Sequence, residues 1–405
     1  MTTIDLPKLL YLGDVAVEST VAGSALIYRL LEQYPADRLQ IIEGIASQPK
    51  KRLKNVDYQT IKVGNKRLLH SRLTPIYNSF LLSSSKQKYS QLIKIANEFQ
   101  PEAILTVTHG FSWLIAAELA KHLNIALHLL VHDDILALTP VPSWYRSQFN
   151  RQLQTVYRQA RSRLCVSPYM MEAYTERYGV AGSVLYPCRS PEIAQFDLPP
   201  QNTSSDKLWK FAYAGSINTP GQAKTLISLA LILQKFQSEL IIYSSLTPHW
   251  AKQIGLDLPN IKLRSLIPSE SLINTLRQEA NVLFAPMDFD EQYQTHVQLC
   301  FPSKLTDYTA TGLPILIWGA AYSSAVRWAK ENPGVAEVVD TPDIKTLEMA
   351  VQKLHQKREY CYQLGLNALK IGHKYFGYDN IVSQFYKSIS NVGWASQSTR
   401  VENDS

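Results

Sequence analysis

Cysteine is scarce and scattered in this 405-residue chain: Cys165, Cys188, Cys300 and Cys361 form neither a CxxC pair nor a dense framework. That excludes a disulfide-stapled secreted module and predicts reduced thiols at or near the core. No run of about 18 consecutive apolar residues occurs, so no membrane-spanning helix is expected. The start, MTTIDLPKLLYLGD, has no basic flank leading into a long apolar stretch and a small-residue cleavage site. A cytoplasmic location follows as the expectation, without a secretory signal. There is no HxH pair, and Asp288 and Asp290 make a DxD only formally, so no metal and no resident cofactor is expected. RNP-like, zinc-finger and helix-turn-helix patterns are also missing, which argues against nucleic acid. The two halves share a rhythm but no alignable period, so no repeat is expected.

What is present describes a folded chain of 45% hydrophobic and 19% charged residues. Its length suggests two domains of roughly 190 residues each. The net charge of +7, from 41 basic and 34 acidic residues, favours an acidic partner without naming it. Much of the excess lies in segment 50–72, with Lys50, Lys51, Arg52, Lys54, Lys62, Lys66, Arg67 and Arg72. A solvated basic face is one reading of this segment and an anionic membrane surface, met peripherally, is another.

Strand and helix patterns alternate along the chain. Leu9 to Leu12 reads as a strand running into Gly13-Asp14, with Gly23 in the following loop and a helix through Leu26, Leu30 and Leu31. Ala103 to Thr108, Ser112 to Leu123 and Ala126 to Val131 read as strand, helix, strand. Such alternation implies a parallel sheet with ligands beyond the C-terminal strand ends. His109 and the pair His132-Asp133 fall just past such ends. The Pro- and Ser-rich stretch 191–207 reads as a linker between domains 1–190 and 208–389. A last helix, 380–389, is placed to return to the first domain, and 390–405 is polar enough to be disordered.

The stretch Cys300 to Gly319, CFPSKLTDYTATGLPILIWG, predicts a helix of about two and a half turns from Lys304, N-capped by Ser303 and ended by Gly312 and Pro314. An exposed Lys304/Asp307 pair is the plain reading. A lysine beside unpaired N–H groups also suits a phosphate or diphosphate, and Asp307 can accept from sugar hydroxyls.

Pro302-Ser303-Lys304, Asp307-Tyr308, Ala310, Gly312 and Pro314, with Tyr213-Ala214-Gly215, Ser167, Tyr174, Tyr178-Gly179 and His132-Asp133, resemble the GT-B glycosyltransferases. Within these the pattern is similar to the retaining family that includes many bacterial polysaccharide and lipopolysaccharide transferases. The resemblance covers about residues 9 to 388. It implies an α/β fold of two Rossmann-like doubly wound domains facing across a cleft, the first binding a glycan, lipid-linked or other hydroxyl acceptor and the second a UDP- or GDP-sugar. It implies donor contacts at Gly23, Gly215, Ser216, Ser303, Lys304 and Asp307, and catalytic roles for His132, Asp133 and Lys304. His109 and Trp113 are the candidate acceptor contacts, Trp113 by stacking on a sugar ring. Two departures stand out. The first of two acids expected eight positions apart is Leu299, leaving Asp288, Asp290, Glu291 or Gln298 to contact the sugar. An arginine often found after the strand glycine is Ser216. A nucleotide-sugar epimerase and a binding protein without turnover are the alternatives of the same architecture.

Overall fold

The computed structural model describes residues 5–19, 22–44, 51–62, 64–201 and 208–390. The chain divides into two compact units, Met1–Cys188 with Asp379–Ser405, and Arg189–Tyr378. In the first, seven parallel strands are β1 (Leu9–Gly13), β2 (Leu39–Glu43), β3 (Asp57–Thr60), β4 (Ala103–Val107), β5 (Ala126–Val131), β6 (Ser162–Cys165) and β7 (Ser183–Val184). Their spatial order is β3-β2-β1-β4-β5-β6-β7. In the second, β8 (Lys210–Ala214), β9 (Glu239–Tyr243), β10 (Ile261–Arg264), β11 (Val282–Pro286), β12 (Ile315–Trp318) and β13 (Glu337–Val339) pair in the order β10-β9-β8-β11-β12-β13. Both are doubly wound sheets whose strand order reverses at one point, between β1 and β4 and between β8 and β11. Ligands of such sheets bind beyond the strand ends at that reversal.

The central strands are continuous apolar runs because helices cover both faces. LLYLG of β1 and ILIW of β12 are buried along their whole length. Local chemistry sets the helix ends. The Ser167 hydroxyl accepts from Met170 N at 3.0 Å, Pro168 stands at the first helical position, and Gly179 closes helix Pro168–Tyr178 in the left-handed region at φ +69°. Helix Ser112–Leu123 lies against the β1/β4 reversal and buries Trp113, Leu114, Ile115 and Leu119.

Several elements depart from the sequence reading. The basic segment contains the edge strand β3, and helix Thr74–Ser84 follows it. A 3-10 segment, Ser85–Leu92, runs on into helix Ile93–Phe99. Helix Gln294–Leu299 leads into the Cys300 stretch. Residues 191–201 do not hang free as a linker. Ile193 packs with Ile273 and Ala310, Arg277 lies 3.9 Å over Phe196 and also donates to Leu198 O at 2.8 Å. The remainder of that segment, 202–207, and the tail from 391 lie outside the described residues. Helix Tyr378–Ile389 packs in the first unit, with Tyr386 edge-on to Tyr34 at 5.7 Å. All four cysteines are buried free thiols. Among the described residues no helix is long and apolar enough to cross a membrane.

Candidate functional site

In the second unit the chain leaves β8 through Gly215, whose φ of +148° is open to glycine and strained for other residues. A Cβ there would lie 3.6 Å from Lys304 Cε and 3.7 Å from its Nζ. The Lys304 ammonium donates to Tyr213 Oη at 3.2 Å and sits 4.3 Å over the same ring. Tyr213 Oη in turn donates to Ser216 O at 2.5 Å, and Tyr308 Oη accepts from Ala214 N at 2.8 Å. Two tyrosines thus tie the Lys304 segment to the end of β8. Among the described residues no carboxylate pairs with Lys304, so its charge faces the strand end with only a hydroxyl and a π-face for company. The fold brings Gly215, Ser216 and Lys304, three of the candidate donor contacts, close together.

The helix itself is shorter than expected. It spans Lys304–Tyr308, and Ser303 lies in the right-handed helical region at φ −55°, ψ −25° without a side-chain cap bond. An extended backbone is what aims a capping hydroxyl at the next turn, so Ser303 does not act as the predicted cap. With five residues the helix dipole is slight, and the Lys304 ammonium carries most of the positive potential. Gly312 ends the following turn at φ +68°.

Arg189, the first residue of this unit, escaped the sequence reading. It is 5% exposed, and its guanidinium donates to Thr306 O and Thr309 Oγ1, both at 3.1 Å. Burial pushes it down to about 10 against the pull of the Asp307 carboxylate. Arg189 therefore fixes the end of the segment that carries Lys304 and Asp307. Replacing it with methionine removes both bonds and the charge beside Asp307. We expect Arg189→Met to lower the unit's stability by about 2 kcal/mol, from the loss of two buried hydrogen bonds to a charged donor, read by urea unfolding.

Asp288 and Asp290 are committed elsewhere. Asp288, 2% exposed, accepts from Thr219 Oγ1 at 2.5 Å and from Asp290 N at 2.9 Å, while Asp290 caps the turn at Gln292 N. Neither offers an uncommitted carboxylate to a sugar, and Leu299 is buried. Glu291 and Gln298 remain of the four substitutes considered.

In the first unit Asp14, just past β1, is 5% exposed. Its Oδ2 accepts from Phe111 N at 2.5 Å and Ser112 N at 2.7 Å, and Oδ1 accepts from Ser112 Oγ at 2.8 Å. It caps helix Ser112–Leu123, and burial raises its pKa against those bonds. Gly110, at φ +59°, is the residue that permits this approach, since a Cβ there would stand 2.3 Å from Asp14 Oδ2. The signal was Gly13-Asp14 at a strand end, readable only once β1 and β4 are known to be neighbours.

His132 Nε2 lies 2.9 Å from Asp133 Oδ2, and the His109 and His132 rings stack at 5.6 Å with 25° between planes. Solvent reaches the outer edge of His109, yet protein crowds the rest. Lost hydration and the neighbouring His132 lower its pKa, opposed by Asp133 and Asp14. Donor atoms of His109, His132 and Asp133 lie within 4.8 Å of one another. Two imidazoles and a carboxylate would suit zinc or another late transition ion by type; the His132–Asp133 bond accounts for part of the set without one. Asp134, next in sequence, is instead held bidentately by Arg177 at 3.0 Å.

Two candidates are corrected. Trp113 is fully buried, donates from Nε1 to Gly110 O at 3.0 Å and packs on Phe149. Its ring is core and presents no face to a sugar. Gly23 lies in the first turn of helix Ala22–Leu31 instead of the preceding loop.

The profile of Glycosyltransferase Family 4 matches residues 26–190. No curated protein sequence matches the chain. The structure is similar to Anabaena HepE in complex with UDP and glucose, at 13% identity and TM-score 0.64 over 95% of this chain and 100% of that one. It is similar to sucrose-phosphate synthase from Thermosynechococcus elongatus, at 14% identity and TM-score 0.66 over 97% and 99%. It is also similar to the lipopolysaccharide outer core galactosyltransferase WaaB, at 14% identity and TM-score 0.52 over 97% and 98%. The chain has the α/β, GT-B fold, and with the family match this supports a transferase enzyme.

Proposed function

We propose that this chain transfers a sugar from a UDP- or GDP-sugar to a glycan, lipid-linked or other hydroxyl acceptor, with retention at the anomeric carbon and in the service of polysaccharide assembly. The observation that carries this reading is the Lys304 ammonium held beside Gly215 at the β8/β11 reversal, with no paired carboxylate among the described residues. Transfer breaks the bond between the anomeric carbon and a phosphate oxygen, so the departing diphosphate gains negative charge. A fixed cation beside a glycine-lined backbone stabilises that charge as it develops. Gly215 and Ser216 let the backbone approach the diphosphate, Lys304 meets its charge, and Asp307, oriented through Arg189, accepts from ribose hydroxyls. HepE, crystallised with UDP-glucose, lends support to a uridine donor.

The first unit takes the acceptor. His132, paired with Asp133, takes the catalytic role in this reading, and His109 contacts the acceptor as a neutral imidazole near neutral pH, its pKa being lowered. Lys304 supplies the charge that a divalent ion would otherwise supply, so a chelator is expected to leave turnover unchanged.

A panel of nucleotides tests the donor assignment. A ligand at 100 times its Kd adds about 2.7 kcal/mol to the folded state, so UDP or GDP is expected to raise Tm while AMP does not. Binding with every UDP- and GDP-sugar left intact would make the chain a binding protein, the reading that the missing acid at Leu299 favours. A changed donor sugar without any acceptor would indicate an epimerase.

A further inference from the structure

Large apolar side chains exposed in the second unit are scattered, whereas in the first three of them share one face of one helix. Leu73, Ile76 and Phe80 are 55%, 59% and 59% exposed at the start and on the outer side of helix Thr74–Ser84. Spacings of three and four residues put them in one stripe. The opposite side is buried through Asn78, Ser79, Leu81 and Leu82. Neighbouring elements extend the apolar surface. Asn78 Nδ2 donates to Pro140 O at 2.8 Å and Ser83 Oγ lies 2.9 Å from Tyr145 Oη, which brings in Leu138, 44% exposed, and Trp144, 72% exposed.

The surroundings are basic throughout. Residues 58–97 hold seven lysines and arginines and no aspartate or glutamate. Arg67, Arg72 and Arg146 are exposed around the stripe. Beside it a groove of about 480 Å³ is lined by Lys62, Lys88, Tyr77 and Phe80, with Lys88 Nζ 3.2 Å from Lys62 O and Phe80 stacked on Tyr77 at 6.3 Å. A protein partner would need an apolar surface ringed by acids. A bilayer with anionic headgroups supplies both features at once: acyl boundary for the stripe and phosphates for the cations.

We propose that the face formed by Leu73, Ile76, Phe80 and Trp144, with Arg67, Arg72, Lys62 and Lys88 around it, docks the protein on an anionic lipid bilayer. The occupant is the bilayer surface, met in the plane by helix Thr74–Ser84. This inference shares no residue with the donor site, so it stands or falls apart from the proposed transfer reaction.

Sedimentation of the full chain with vesicles tests it, using phosphatidylcholine alone or mixed with phosphatidylglycerol. Binding is expected to the mixed vesicles, to weaken steeply with salt, and to be slight on phosphatidylcholine alone. Ile76→Ser and Phe80→Ser are each expected to weaken partitioning roughly tenfold or more, and Arg67→Gln and Arg72→Gln roughly fivefold each. Because these side chains are exposed, the variants are expected to keep the wild-type Tm and nucleotide response. Absence of binding to mixed vesicles would overturn the proposal. So would variants that bind like the wild type, or a wild-type dimer that Phe80→Ser converts to monomer without any vesicle binding.

Discussion

Lys304→Ala is expected to lower kcat/KM for the nucleotide-sugar by about 10²- to 10³-fold, the usual consequence of removing one fixed donor aimed at developing charge. Most of the loss belongs in kcat, because the leaving diphosphate is more negative in the transition state than in the bound donor. The fold is expected to survive. Tyr213 keeps its bond to Ser216 O and Tyr308 its bond to Ala214 N, so the end of β8 remains anchored without the ammonium. Lys304→Arg separates charge from shape. A planar guanidinium beside the Tyr213 ring restores charge but misplaces it, and an activity between the two others is expected. Steady-state kinetics with nucleotide titration on the same samples decides the matter. A Lys304→Ala enzyme with wild-type kcat/KM removes Lys304 from the site.

The doubly wound architecture was legible because its signals are local and repeated. Buried parallel strands read as short apolar runs, and residues such as Ser167, Pro168 and Gly179 mark helix ends by chemistry that acts within a few positions. Where helix formation depends on distant partners, the sequence carried little signal. Helix Thr74–Ser84 buries Asn78 and Ser79 beside Leu81 and Leu82 and exposes Ile76 and Phe80, so apolar residues fall on both of its faces and leave no one-sided pattern to read. Edge strand β3, with the residues DYQT, is only half-buried and lacks the apolar run that identifies central strands. The stretch 191–201 looks like a linker by composition, yet Ile193 and Phe196 find a pocket in the second unit that no local rule foretells.

Candidate site residues divide along the same line. Gly215 and Lys304 were visible because a strand-ending glycine and a lysine after a proline-serine pair stand out in one dimension. Trp113 was misread for the converse reason: two residues from a strand-end loop, it nevertheless points inward and fills the core beside Phe149. Arg189 and Asp14 act across 117 and 98 positions of sequence, and only the folded chain makes them neighbours of Thr306 and Ser112. Asp288 and Asp290 stood among the acids that could replace the missing sugar contact at Leu299, but a carboxylate also accepts readily from nearby N–H and hydroxyl donors, and that is the role they play.

Glycines on helix Arg358–Phe376 yield the second large effect. Gly365 faces the turn that follows the Lys304 segment so closely that a Cβ would stand 2.1 Å from Gly312 O. Alanine is otherwise the better helix former by about 1 kcal/mol, so the sign depends on whether the neighbour can yield. It is a backbone carbonyl of a residue held at φ +68°, and overpacking against such a partner costs about 3 kcal/mol or more. Gly365→Ala is therefore expected to lower the Tm of the second unit by about 6 °C or more and to weaken nucleotide binding by displacing Asp307. At Gly372 the obstructing atoms are Arg189 Nη2 at 2.2 Å, Thr309 Oγ1 at 2.4 Å and Thr309 Cβ at 2.6 Å; both side chains are buried and bonded to each other, so the loss there is also expected to be large, below that at Gly365 because no backbone atom is in the way. Gly23 supplies the contrast. Among the described residues nothing lies within 4 Å of a Cβ at that position, so Gly23→Ala is expected to hold stability within about 0.5 kcal/mol. Thermal unfolding of the three variants, ranked Gly365→Ala, Gly372→Ala, Gly23→Ala from most to least destabilised, checks the packing. Any loss of donor affinity in Gly23→Ala would then reflect a ligand and not the fold.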